Sequence, residues 1–172
     1  MLVLRPVITS DERAELRDLA NALTGDIVTC FASVGWLNAT TSSDEGLHEL
    51  AYSMSANLRV SGSRLRFEVS IVTPDHQPLW SAKYDGDMDG AFDWQDQTAQ
   101  AVAIDAIAQV LDRERIRIRS LSLADMSAEE CVIASYIEFE TLDEPSMISN
   151  LMYLTAAIGK RPDYAEGYGN AI

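Results

Sequence analysis

The alternation of apolar and polar positions is clearest over residues 64–71, where Leu65, Phe67, Val69 and Ile71 alternate with Arg64, Arg66, Glu68 and Ser70. A period of two is that of a strand with one buried face. Ser61-Gly62-Ser63 before this run and Thr73-Pro74-Asp75 after it carry turn chemistry. The chain is therefore expected to fold back onto Leu58 and Val60 on one side and onto Leu79 to Tyr84 on the other, making a β-meander. Ala99, Val102, Ala103, Ala106, Ile107, Val110 and Leu111 then recur every three to four residues. That spacing predicts one apolar stripe of a helix laid on a sheet.

Earlier in the chain, Leu2, Val3, Leu4, Val7 and Ile8 form a short strand candidate interrupted by Pro6, a residue better tolerated at an edge or strand end. Thr9 and Glu12 have the spacing of a capping box. The stripe Leu16, Leu19, Leu23, Ile27, Phe31 and Val34 predicts a helix with Gly25 as a kink and Gly35 as its stop. Trp36 to Thr40 is expected to return as a strand. Thr41-Ser42-Ser43-Asp44 would then cap a short helix through Leu47, Leu50 and Ala51. This order places helices between early strands and hairpins later, which argues for a mixed sheet covered by helices.

Past Leu111, the alternation of Arg113, Arg115, Arg117 and Arg119 with Glu114, Ile116 and Ile118 fits either a strand or a frayed helix end. The simplest account of the arginines is a solvated face pairing with nearby acids. From Ser127 the texture becomes that of paired helices. Ala128, Val132, Ser135 and Phe139 mark one face, and Asp143-Glu144-Pro145 opens a second helix with proline and acids where they belong. Met147, Leu151, Leu154 and Ile158 carry its stripe, and Gly159-Lys160-Arg161-Pro162 is expected to end it. Asp163 to Tyr168 would restart a helix. Ser127 to Asp163 is close to the roughly 34-residue period of helix-pair repeats, so the chain is expected to be part of a longer polypeptide.

Charge and composition narrow the function classes. The chain has 172 residues with a net charge of -14, which disfavours binding of nucleic acid or anionic lipid by counterion release. No apolar run approaches the length of a membrane span, and the amino terminus lacks the apolar stretch of a signal peptide, so a cytoplasmic setting is expected. Cys30 and Cys131 lie in apolar helical contexts without CxxC spacing, which favours reduced, buried thiols over a zinc site.

The whole chain resembles a TolB-amino-terminal-like α/β domain followed by tetratricopeptide-type helices, as found in bacterial multidomain signalling proteins. The positions that carry the resemblance are Asn21-Ala22-Leu23-Thr24-Gly25-Asp26-Ile27-Val28-Thr29, Leu58 to Arg66, Leu79-Trp80-Ser81-Ala82-Lys83-Tyr84-Asp85 and Phe92-Asp93-Trp94-Gln95-Asp96, with Arg161-Pro162-Asp163-Tyr164-Ala165-Glu166 similar to a repeat boundary. Gly167 and Gly169 depart from the helix formers usual after such a boundary. The fold implied is α/β: a mixed sheet with a carboxy-terminal β-meander flanked by helices, followed by an α-helical hairpin repeat. The expected division is 1–120 for the α/β domain and 121–172 for the repeats. In the family this module accompanies an output domain, most often a class III adenylate cyclase catalytic domain and otherwise a winged-helix DNA-binding domain. The resemblance implies no chemistry within the module itself, protein partners bound through the helical repeats, and self-association into a homodimer.

Residues able to carry chemistry are few. His48 and His76 fall in no triad spacing, and a surface position is the simpler reading for each. Gly86 and Gly90 are separated by acids that would repel a phosphate. Asp85-Gly86-Asp87-Met88-Asp89-Gly90 matches the DxDxDG core of a calcium loop, with Asp96 at the twelfth position. A run of acids at a turn and helix start is the alternative, because the preceding segment reads as a strand. Trp80, Tyr84, Phe92 and Trp94 could line a pocket or pack a core. No catalytic, cofactor-binding or metal-ligating residue is assigned. The expected function is a noncatalytic regulatory, sensory or protein-interaction region of an adenylate cyclase-like signalling protein. The alternatives are the same module in a winged-helix regulator, and a calcium-responsive binding domain resting on Asp85, Asp87 and Asp89.

Overall fold

The computed structural model describes residues 1–34, 36–37, 39–42, 51–139 and 143–163. Its strands are β1 (Leu2–Leu4), β2 (Ile8–Thr9), β3 (Ala39–Thr41), β4 (Tyr52–Ser61), β5 (Arg64–Val72) and β6 (Pro78–Asp87). Its helices are α1 (Ala14–Ala32), α2 (Ala91–Ile118), α3 (Ala128–Phe139) and α4 (Glu144–Lys160). The chain divides into two compact units, Met1–Gln109 and Val110–Ile172, with the boundary inside α2. The expected stop at Gly35, the short helix containing His48, and the helix restart over 164–168 lie outside the described residues.

In the first unit the strands form one mixed sheet in the order β3-β1-β4-β5-β6, with β2 also paired to β4. β1 runs parallel to β3 and β4, whereas β4, β5 and β6 form the antiparallel meander. The β4–β5 turn works because Gly62 takes φ +63 at the first central position of a two-residue loop, where a side chain would be strained. The alternation read from the sequence is the structure of β5: Leu65, Phe67, Val69 and Ile71 are 0–3% exposed, while Arg64 and Arg66 face solvent. Leu16, Leu23, Ile27 and Phe31 of α1 and Ala99, Val102 and Ala106 of α2 are buried in the same unit. Each large apolar side chain buried in this way stabilises the fold by about 1.5–3 kcal/mol.

Several local expectations are corrected. The capping box Thr9-x-x-Glu12 does not form: α1 begins at Ala14, and Asp11 instead accepts from the backbone and guanidinium of Arg13. Hydrogen bonds from Arg13 hold the Asp11 carboxyl down at about 2. α1 runs unbroken through Gly25. Trp36 and Leu37 are buried ahead of β3, which starts only at Ala39. Of the two readings of the arginine-rich stretch, the strand is overturned: residues 113–118 are the carboxy-terminal turns of α2, and Arg119 lies just beyond.

In the second unit α3 and α4 form a helical hairpin. Ser127 and Glu130 close a reciprocal capping box at the start of α3, the Ser127 N–H donating to the Glu130 carboxylate and the Glu130 N–H to the Ser127 hydroxyl. Arg117 donates to both Glu114 and Glu130. Burial raises the Glu130 pKa, but the Ser127 N–H and Arg117 together outweigh it and leave the carboxyl below its ordinary value. Asp143 caps α4 by accepting from the Ser146 N–H at 2.8 Å. Gly159 does not cap the other end; α4 continues to Lys160, with Arg161 as its C-cap.

Pro6 breaks the first strand, and the break leaves the Val7 N–H without a ladder partner. Thr24, in the middle of α1, supplies one: its hydroxyl accepts from Val7 N at 3.0 Å and donates to the Ala20 carbonyl at 2.9 Å. Replacing Thr24 by the isosteric Val removes that acceptor from a part-buried N–H. The expected cost is about 1–3 kcal/mol, read as a lower chemical-denaturation midpoint at unchanged slope.

Candidate functional site

Because the helix-facing positions of β4, β5 and β6 are mostly apolar, the intervening positions put the charged side chains on the other face. The strand register sets them in cross-strand rows: Ser61, Arg64 and Asp87; Arg59, Arg66 and Asp85; Asn57, Glu68 and Lys83; Ser55, Ser70 and Ser81. Arg66 grips Asp85 at two points, Nε to Oδ1 at 2.7 Å and Nη2 to Oδ2 at 3.0 Å. Those hydrogen bonds pull the Asp85 pKa below its ordinary value. Glu68 lies between Arg59 at 3.3 Å and Lys83 at 3.2 Å. A cleft of about 770 Å³ on this face is lined by Arg59, Ser61, Arg64, Arg66, Asp85 and Asp87, among others. Such exposed pairs are screened by solvent and add little stability, so the network does more to set the charge pattern of the face than to hold the sheet together.

The candidate calcium residues belong to this geometry. Strand β6 runs to Asp87, and the Met88 N–H still bonds the Ser63 carbonyl at 2.8 Å. Asp85 and Asp87 therefore project side by side from an extended strand, while Asp89 lies in the single 3₁₀ turn Met88–Gly90. Asp85 is held by a guanidinium. A calcium loop needs its first, third and fifth positions wrapped around one point. Among the described residues, no group of three His, Cys, Asp or Glu side chains is placed to hold a metal ion.

Gly86 has a structural task that the sequence pattern did not assign. It sits on the helix-facing side of β6, where a Cβ would overlap the Trp94 ring. Trp94 packs onto the bare backbone there, and its indole N–H donates to the Asp85 carbonyl at 3.1 Å. Glycine inside an alternating strand is the available sequence signal for such close approach. The aromatic residues have separate surroundings. Trp80 and Tyr84 are half-buried on the helix side, Tyr84 donates to Asp105 at 2.7 Å, and Phe92 is 74% exposed. Burial, together with that bond to Asp105, pushes the Tyr84 phenol well up.

The remaining candidates are placed as follows. His76 occupies the β5–β6 turn at φ 58, with its N–H bonded to the Thr73 carbonyl. Cys131 is buried and Cys30 half-buried, both as free thiols whose pKa burial raises. Arg115 pairs with Asp112, and Arg117 with Glu114 and Glu130. In α4, Leu154 and Ala157 are buried, but Met147 and Leu151, expected on the same inward stripe, are exposed together with Ile148 and Met152. Phe139 of α3 is likewise exposed. These four α4 side chains make an apolar strip on the outer side of the hairpin.

No protein-family model matches the sequence, and no curated protein matches it. Among solved structures, the chain is similar to PelC of Paraburkholderia phytofirmans, a dodecamer, with 10% identity over 59% of this chain and 84% of that one, at a TM-score of 0.46. It is also similar to TolB from Acinetobacter baumannii, with 13% identity over 64% of this chain and 28% of that one, at a TM-score of 0.43. Likenesses of this size carry no functional argument.

The motif positions that carried the sequence resemblance do meet in space: Gln95 donates to Asp26, joining α2 to α1. Gly86→Ala is expected to displace Trp94 and destabilise the first unit by about 1–3 kcal/mol. Tryptophan fluorescence should shift red in the same variant.

Proposed function

We propose that this chain is a noncatalytic regulatory and protein-interaction region of an adenylate cyclase-like signalling protein. In this reading its second unit, as tetratricopeptide-type helices, receives a protein partner, and its first unit positions an output domain. The observation that carries the reading is the outer face of α4, where Met147, Ile148, Leu151 and Met152 are 46–63% exposed. Four large apolar side chains one turn apart form the kind of surface that a partner helix covers, and methionine adapts readily to different occupants. On the polar face of the first unit, Arg59, Arg66 and Lys83 are engaged with Glu68 and Asp85, an arrangement in keeping with a positioning role.

Two experiments test this reading. Sequencing the coding DNA on both sides of the segment should reveal a class III cyclase catalytic domain in frame; a winged-helix domain there would overturn the cyclase assignment. In the parent protein, Met147→Glu with Leu151→Glu should abolish regulation of the output activity while leaving its unregulated rate unchanged. Because both side chains are exposed, the melting behaviour of the hairpin should change little, within about 0.5 kcal/mol per substitution. Regulation that survives the double substitution contradicts the assignment of the α4 face.

A further inference from the structure

Among the described residues, strand β6 is the last strand of the sheet and pairs only with β5, and it is ten residues long. A long outer strand with unpaired N–H and C=O groups is a template for another strand. The register shows which groups are free. Closure of β4 onto β5 at Ser61 and Arg64 turns the backbone groups of Arg64, Arg66, Glu68 and Ser70 toward β4, so those of Leu65, Phe67, Val69 and Ile71 face β6. The bond from Met88 N to the Ser63 carbonyl fixes the same phase from the other strand, making Leu65–Gly86, Phe67–Tyr84, Val69–Ala82 and Ile71–Trp80 the hydrogen-bonded pairs. Ser81, Lys83, Asp85 and Asp87 must then turn both backbone groups to the open edge. Acceptance of the Trp94 indole N–H by the Asp85 carbonyl agrees with this phase. No described residue is hydrogen-bonded to the edge-facing backbone of Ser81, Lys83 or Asp87.

We infer that this edge pairs with the same edge of a second copy of the chain, in an antiparallel β6–β6 dimer with its twofold axis at Tyr84. The inference stands on the sheet alone and is independent of the output-domain reading. Charge selects both the occupant and the register. Centring the axis on Tyr84 sets Lys83 opposite the partner's Asp85 and Asp85 opposite the partner's Lys83, and brings Ser81 opposite the partner's Asp87. All of these are edge-facing residues, so each opposed pair exchanges two backbone hydrogen bonds. Moving the axis to Lys83 or to Asp85 would place like charges directly opposite, which is destabilising. The chain as a whole carries a charge of -14 and repels its own copies, but here Arg59, Arg64, Arg66 and Lys83 stand among Glu68, Asp85 and Asp87. On that face of the sheet the repulsion is therefore offset. The Asp85 carbonyl keeps a second lone pair beyond the one given to Trp94.

Sedimentation equilibrium of the full chain should return twice the 18.9 kDa chain mass at high concentration. Ser81→Pro removes an edge-facing N–H without removing any ladder bond to β5, and should give a monomer with unchanged circular dichroism. Lys83→Glu and Asp85→Lys should each weaken self-association about tenfold or more. Mixing those two variants should restore dimerisation. The introduced glutamate of one copy then faces the introduced lysine of the other, while the unaltered Asp85 of the first copy faces the unaltered Lys83 of the second. A chain that stays monomeric at every concentration overturns the inference. So does a dimer that persists in Ser81→Pro, or a mixture of the charge variants that dimerises no better than either alone.

Discussion

The two-residue period of β5 is the constraint on which the first unit depends. With Leu65, Phe67, Val69 and Ile71 committed to the buried side, neither neighbour can slip by one residue without turning its own apolar set toward water. The same phase assigns every charged residue of β4, β5 and β6 to the opposite face, and every backbone group of β6 either to the ladder or to the open edge. The charged face, the cleft between its arginines and carboxylates, and the free edge all follow from one alternation.

The helix side of the sheet shows a second consequence. β5 is buried there almost completely, whereas Trp80, Ala82 and Tyr84 of β6 are only half-buried. The outer strand is held by specific contacts: Tyr84 on Asp105, and Trp94 laid against Gly86 and bonded to the Asp85 carbonyl. In the hairpin the relation between polarity and position differs. Ala134, Ala157 and Leu154 fill the interior, and Met147, Ile148, Leu151 and Met152 of α4 lie outside. A helix whose outward face is as apolar as its inward face is built for contact on both sides.

The meander was legible because period-two alternation and turn residues agree at every step from Leu58 to Tyr84. The α3–α4 hairpin was legible from its caps, since Asp143 and Pro145 act where their chemistry places them. Less legible were features set by partners distant in sequence. Thr9 and Glu12 have capping-box spacing, but Arg13 takes Asp11 first and moves the helix start to Ala14. The acidic run after Tyr84 satisfied a local ligand pattern, yet β6 continues to Asp87 because its ladder with β5 outlasts the apolar alternation. In α4 the period of 3.6 was right and the choice of face was not. Leu154 lies on the inward side and Met147 and Leu151 on the outward side, a choice made by packing against α3 rather than by the helix itself. Two motifs quoted far apart in the sequence, around Asp26 and Gln95, proved to be one contact.

Amide hydrogen exchange along β6, resolved residue by residue in dilute solution, tests the ladder phase most directly. The account predicts alternation: slow exchange at Trp80, Ala82, Tyr84 and Gly86, which bond β5, and fast exchange at Ser81, Lys83, Asp85 and Asp87, which face the open edge. Uniform protection along the strand in dilute solution, or the opposite alternation, would contradict it.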